Sequence, residues 1–191
     1  SGQSNILMKA EQLGISLEKG SAEALSILTK VKELEQDGYS FEAAGGSLEL
    51  LIRRELGTCE RPWTLNEYHC SFRQYRDGHN PVCEATVKLD VNNETNYTVS
   101  EGHGVVNALD GALRKALMAF FPEIEQVQLV DYKVRILDGE DATAAKTRVL
   151  IVHSDGEGTW GTVGVSDSII EASWIALCDG IDLFLQRRKN A

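Results

Sequence analysis

The chain has 191 residues, 42% of them apolar and 25% charged, ordinary globular values that argue against disorder. A net charge of −10 and a pI near 4.9 argue against nucleic acid or an anionic membrane surface as the main partner. There is no apolar run of about eighteen residues and no charged-then-apolar leader, so the expectation is a soluble, cytoplasmic protein with no membrane partner.

Residues 4 to 14 are expected to form a short helix, with Ile6, Leu7, Ala10 and Leu13 on one face and Gly14 as its stop. A second helix follows Ser21 as N-cap, carries Leu25, Leu28, Val31 and Leu34 at helical spacing, and ends at Asp37-Gly38. A third starts near Ser47 after Gly45-Gly46, with Leu48, Leu51 and Ile52 inward and Arg53 and Arg54 toward its C-terminal end. Three such helices bury little surface alone, so residues 1–60 read as a helical linker subdomain that needs a neighbour.

Gly57 to Asn66, with Pro62, reads as a connector, after which strict alternation replaces the helical period. Residues 61–191 read as one domain of two βββα repeats, about 66–121 and about 127–185. In the first, strands over 67–76, 83–90 and 96–101 precede a helix from Val105 to Phe121, stopped before Pro122. In the second, strands over 127–137, 146–152 and 160–165 precede a helix over 168–185. Its apolar stripe is Ile170, Trp174, Leu177, Ile181 and Phe184. The polar tail, Gln186 to Ala191, is expected to fray. The fold class is α+β, with antiparallel sheets.

The repeats share one offset. Thr98 with Thr162, Val99 with Val163, Ala108 with Ala172, Ala112 with Ala176, Leu113 with Leu177 and Phe120 with Phe184 all stand 64 apart (162 − 98). A constant offset without a gap reads as an internal duplication. Each copy ends a β-branched strand in a small, polar turn that opens a helix. Free backbone N–H groups at such a helix start suit an anion or a carboxylate.

The residues make no case for catalysis. His69, His79, His103 and His153 do not pair with another His or Cys at ligand spacing, and no metal site is expected. Gly102-x-Gly104 is too short for a dinucleotide fingerprint. Two readings of these glycines stay open: a tight turn only, or a turn that admits a ligand. The same holds for Ala142-Thr143-Ala144-Ala145, where small residues mean close packing or room for a ligand side chain. Cys59, Cys70, Cys83 and Cys178 lie far apart with no C-x-x-C pair, which suits reduced thiols. The chain opens on Ser1-Gly2-Gln3-Ser4-Asn5 without a starting Met, and a piece of something longer is expected.

Several segments together resemble the C-terminal part of the 2-isopropylmalate synthase and citramalate synthase family. Ser1-Gly2-Gln3-Ser4-Asn5-Ile6-Leu7 is similar to the segment that leaves the family's catalytic barrel. Gly38-Tyr39-Ser40-Phe41-Glu42-Ala43-Ala44 with Ser47-Leu48-Glu49-Leu50-Leu51 resembles its helical linker. Glu101-Gly102-His103-Gly104-Val105-Val106-Asn107-Ala108, Asp131-Tyr132, Gly139-Glu140-Asp141-Ala142-Thr143-Ala144-Ala145 and Trp160-Gly161 resemble its regulatory domain. Asp131 to Leu137 and Ala144 to Val149 look more like the citramalate branch.

The resemblance implies a feedback-regulatory, dimer-forming region of an enzyme that condenses acetyl-CoA with a 2-oxo acid. It implies a divalent metal in a catalytic barrel outside these residues, no cofactor within them, and no activity of this region alone. The implied effector is isoleucine or leucine. The family's effector-contact positions fall on Gly102, Gly104, Val106 and Asn107, on Leu129, Tyr132 and Ile136, on Ala142 and Ala144, and on Ile169. Leu129 and Ile136 stand an odd number of residues apart, so strict alternation sets them on opposite faces of a strand. The alternative is a purely structural dimerisation module without a working effector site.

Overall fold

Ser21 shows how local chemistry starts an element here: its side chain accepts from the Ala24 N–H at 3.2 Å and opens α2 (Ala22–Gln36). With α1 (Gln3–Gln12) and α3 (Gly45–Glu55) it forms a small helical cluster around Ile6, Ile27, Val31 and Ile52. The computed structural model describes residues 2–137 and 145–191. After the three helices come β1 (Thr64–Arg73), β2 (Val82–Val91), β3 (Glu94–Gly102) and α4 (Val105–Met118). A short 3₁₀ turn over Pro122–Gln126 leads to β4 (Gln128–Ile136), β5 (Thr147–Ser154), β6 (Thr159–Ser166) and α5 (Ile169–Lys189). Two antiparallel sheets, ordered β1-β2-β3 and β4-β5-β6, make the chain α+β as its patterning implies.

The residues divide into two compact units, Arg61–Gln128 and, separately, Ser1–Glu60 with Leu129–Ala191. The helical cluster thus packs with the second repeat. Ser47 on α3 accepts from the Val163 N–H of β6 at 2.9 Å. Gly161 lies against the Ala43 carbonyl so closely that no Cβ fits there. Farther along, Glu49 is buried and holds Arg53 at 3.1 Å and Arg187 of α5 at 2.7 Å. Arg54 pairs with Asp179 and Asp182 of α5, both at 3.1 Å.

The offset of the duplication is kept by the bonds that dock helix on sheet. Thr98 Oγ1 donates to the Ala112 carbonyl at 2.7 Å, and Thr162 Oγ1 donates to the Ala176 carbonyl at 2.7 Å. Asn96 Nδ2 donates to the Ala116 carbonyl at 3.0 Å, and in the second copy Trp160 Nε1 donates to Gly180 at 2.9 Å.

Several sequence expectations need correction. Leu25 is 50% exposed, because α1 and α3 pack on the face of α2 that carries Ala24, Ile27 and Val31 instead. Helix α3 begins at Gly45 and buries Leu50 as well as Ile52, since it is packed on both sides. Strand β1 starts and ends about three residues early, directly after the buried Trp63. Helix α4 ends at Met118, and Pro122 begins a separate 3₁₀ turn. The tail does not fray at Gln186: α5 runs to Lys189, held by Gln186 Nε2 on the Thr58 carbonyl and by Arg187 on Glu49.

Candidate functional site

Four expected contact residues lie together at the junction of β3 and α4. Gly102 ends the strand, and a Cβ there would stand 2.5 Å from Asn107 Oδ1 and 2.6 Å from the Ala108 nitrogen. That glycine has a packing reason. Gly104 has none: its φ of −148° is extended backbone and a Cβ would meet nothing within 4 Å. As N-cap of α4 it offers no side chain, and the first turn, with Val106 and Asn107, carries no acid. Among the described residues, no side chain caps the first-turn N–H groups of α4.

The start of α5 is chemically different. Ser168 Oγ accepts from the Glu171 N–H at 3.4 Å, and Glu171 in turn accepts from Ser166 Oγ at 2.9 Å. Ser166 Oγ also accepts from the Ser168 N–H at 3.1 Å. This helix start caps itself, in the Ser-x-x-Glu pattern of a capping box. The sequence carried that signal at Ser168 and Glu171, which were not among the expected contact residues.

Within the unit that holds β4 and α5, Tyr132 and Ile169 are linked through one residue. The Tyr132 hydroxyl lies 3.2 Å from Ser173 Oγ, which donates to the Ile169 carbonyl at 2.6 Å. Ser173 is thus a site neighbour that pattern reading missed, because a serine on an apolar helix face gives no local signal. Leu129 is half-buried, while Ile136 is 70% exposed at the far end of β4. Ala142 and Ala144 lie outside the described residues. Among the described residues no group of three or more His, Cys, Asp or Glu could hold a metal ion. The arrangement suits non-covalent capture of a carboxylate at α4, worth about 0.3–1 kcal/mol, or about 2 where partly buried.

Comparison with known proteins places these features. The LeuA allosteric (dimerisation) domain matches residues 42–185, from just ahead of α3 to near the end of α5. An (R)-citramalate synthase of Aquifex aeolicus (strain VF5) is 48% identical over 180 residues, 94% of this chain and 34% of the relative. An (R)-citramalate synthase of Geobacter sulfurreducens is 43% identical over 190 residues, 100% of this chain and 36% of the relative. A 2-isopropylmalate synthase of Aquifex aeolicus (strain VF5) is more distant, 30% identical over 189 residues, 99% of this chain and 34% of the relative. The chain spans about a third of the length of the curated relatives it matches. With its duplicated βββα units and the helix that covers one of them, this chain belongs to the LeuA allosteric (dimerisation) domain family, on the citramalate synthase side of it.

Proposed function

We propose that the chain is the amino-acid-sensing and homodimer-forming region of a cytoplasmic synthase that condenses acetyl-CoA with a 2-oxo acid in branched-chain amino acid biosynthesis. The observation that carries this reading is the family match together with identities of 41–48% to citramalate synthases against 30% to a 2-isopropylmalate synthase. The uncapped start of α4 supports it. N–H groups at Gly104 to Asn107 that no side chain caps among the described residues suit the carboxylate of a free amino acid, and isoleucine is the effector that the citramalate resemblance favours. The residues proposed as its contacts are Gly102, Gly104, Val106, Asn107, Leu129, Tyr132, Ile136, Ala142, Ala144 and Ile169. Chemistry on acetyl-CoA, and any divalent metal it uses, belongs to a catalytic barrel that would be this region's partner in the same enzyme.

Thermal melting and calorimetric titration with isoleucine and with leucine test the reading. A ligand that binds only the folded state stabilises it by about 2.7 kcal/mol at a hundred times its Kd, so isoleucine should raise the melting temperature more than leucine. Telling them apart turns on one methyl position, about 1–3 kcal/mol, so some response to leucine is expected. Gly104→Asp should by itself stabilise α4 by a few tenths of a kcal/mol, since an aspartate is a better N-cap than glycine. The same carboxylate would occupy the effector's place, and the isoleucine response should vanish. If neither amino acid shifts melting while the protein is dimeric, the chain is a structural dimerisation module.

A further inference from the structure

Strands β3 and β6 are equivalent edges of equivalent sheets, yet only β6 is covered within its own unit. The turn Asn92-Asn93, with both residues at positive φ (49° and 65°), pairs Val91 with Glu94 and sets the ladder of β3. From there the backbone groups of Asn96, Thr98 and Ser100 point to β2, and those of Thr95, Tyr97, Val99 and Glu101 point outward. In β6 the matching outward N–H, that of Val163, is taken by Ser47, and the matching position to Tyr97 is Gly161, pressed against Ala43. In β3 the outward Val99 N–H has no such acceptor among the described residues, and Tyr97 and Val99 are 60% and 50% exposed. Among the described residues, the Val99 carbonyl accepts from Lys115 Nζ at 2.9 Å and the Glu101 carbonyl from Ser100 Oγ at 3.4 Å, and each has a second lone pair still available.

The remaining edges are blunted. A register shift between Leu65 and Glu67 interrupts β1, and Asp131, Lys133 and Arg135 alternate along β4. A bare, regular edge carrying an aromatic and a β-branched residue is a template for another strand. We infer that the β3 edge pairs antiparallel with the β3 edge of a second copy, joining two three-stranded sheets across a twofold axis. Centred on Thr98, this register sets Tyr97 opposite the partner's Val99 and Val99 opposite the partner's Tyr97, an aromatic–β-branched pair made twice. It also sets Thr95 opposite the partner's Glu101, so no like charges meet. The Val99 carbonyl then accepts from the partner's Tyr97 N–H as well as from Lys115.

The inference rests on the homodimer part of the proposed function, and deepens it by naming the seam. Light scattering across a dilution series reads it. The unaltered chain should be dimeric. Val99→Pro removes only an outward N–H and leaves the ladder to β2 intact, and Tyr97→Lys sets a charge on the seam without touching the core. Both should be monomeric at concentrations where the parent is dimeric, with unchanged far-UV circular dichroism; if Val99→Pro misfolds, Tyr97→Lys carries the test. A parent that is dimeric with Tyr97→Lys equally dimeric overturns the seam and leaves dimer formation standing. A parent that is monomeric throughout overturns both.

Discussion

In the first repeat Leu89 and Ala116 stand where His153 and Gly180 stand in the second, one offset of 64 (153 − 89) later, and all four are buried. A Cβ on Gly180 would run into the His153 ring, so the larger strand residue is matched by a helix residue with no side chain. The exchange goes the other way one turn earlier. Ser100 faces Gly111 in the first copy, where a Cβ on the glycine would run into the Ser100 hydroxyl, whereas in the second copy Ile175 faces Gly164, whose own Cβ would run first into the Ala172 carbonyl of α5. Bulk has moved between sheet and helix while the docking bonds from Thr98 and Thr162 kept the same length. The lesson concerns what a duplicated core conserves: total volume and the hydrogen bonds that set the helix height, not the side chain at a given site.

The largest effect should come from breaking that volume match. Gly180→Ala should destabilise the protein by about 1–3 kcal/mol, because overpacking against the His153 ring outweighs the gain of up to about 1 kcal/mol from a better helix former. In a His153→Leu background, which restores the pairing of the first copy, the same change should cost clearly less. Urea unfolding of the four proteins gives the coupling, and strictly additive costs would refute the compensation.

A smaller effect sharpens the comparison of the docking bonds. Thr162→Val should cost about 1–1.5 kcal/mol and Thr98→Val about 0.5 kcal/mol, since both lose one hydrogen bond but only Thr162 is fully buried. Both helix carbonyls keep their own backbone donors, which limits the loss. Equal costs would show that burial does not separate the two copies.

The smallest is a pH effect confined to the first copy. Asp110 on α4 is buried where the second copy has Trp174, and Arg114 Nε holds only its Oδ2, at 3.1 Å. Burial pushes its carboxyl up from the usual range, against the opposing pull of Arg114. A raised folded value means stability that is present below the ordinary carboxylate range and lost as pH rises through the raised value. Denaturation between acid and neutral pH should show that decline in the parent and not in Asp110→Asn. Matching profiles would remove Asp110 as its cause.

Alternation and turn chemistry made both repeats legible in the sequence, because the central strands β2 and β5 bury every second residue and Asn92-Asn93 closes a hairpin by local preference alone. The uncapped glycine at the head of α4 could be read in the same way, since a cap is a local feature. What could not be read depends on partners far along the chain. Leu25 and Ala24 are equally apolar to a periodic pattern, and only the position of α1 and α3 decides which is buried. Gln186 and Arg187 look like a polar tail until Thr58 and Glu49 are set beside them. Tyr132 and Ile169 meet through Ser173, a residue whose polarity gave no reason to single it out.

The clasp between Glu49 and Arg187 also fixes an order of events during synthesis. Residues Arg61–Gln128 hold every strand and the helix of their own unit, so they can close as soon as Gln128 leaves the ribosome. The three helices made before them cannot, because the surface they cover lies in Leu129–Ala191 and Arg187, the partner of Glu49, follows it by 138 residues. Domains generally fold in the order they are made, and contacts of long sequence separation form late. Here the helices made before the first repeat are completed after it, with Ser47 and Glu49 of α3 lacking their partners Val163 and Arg187 until the second repeat follows.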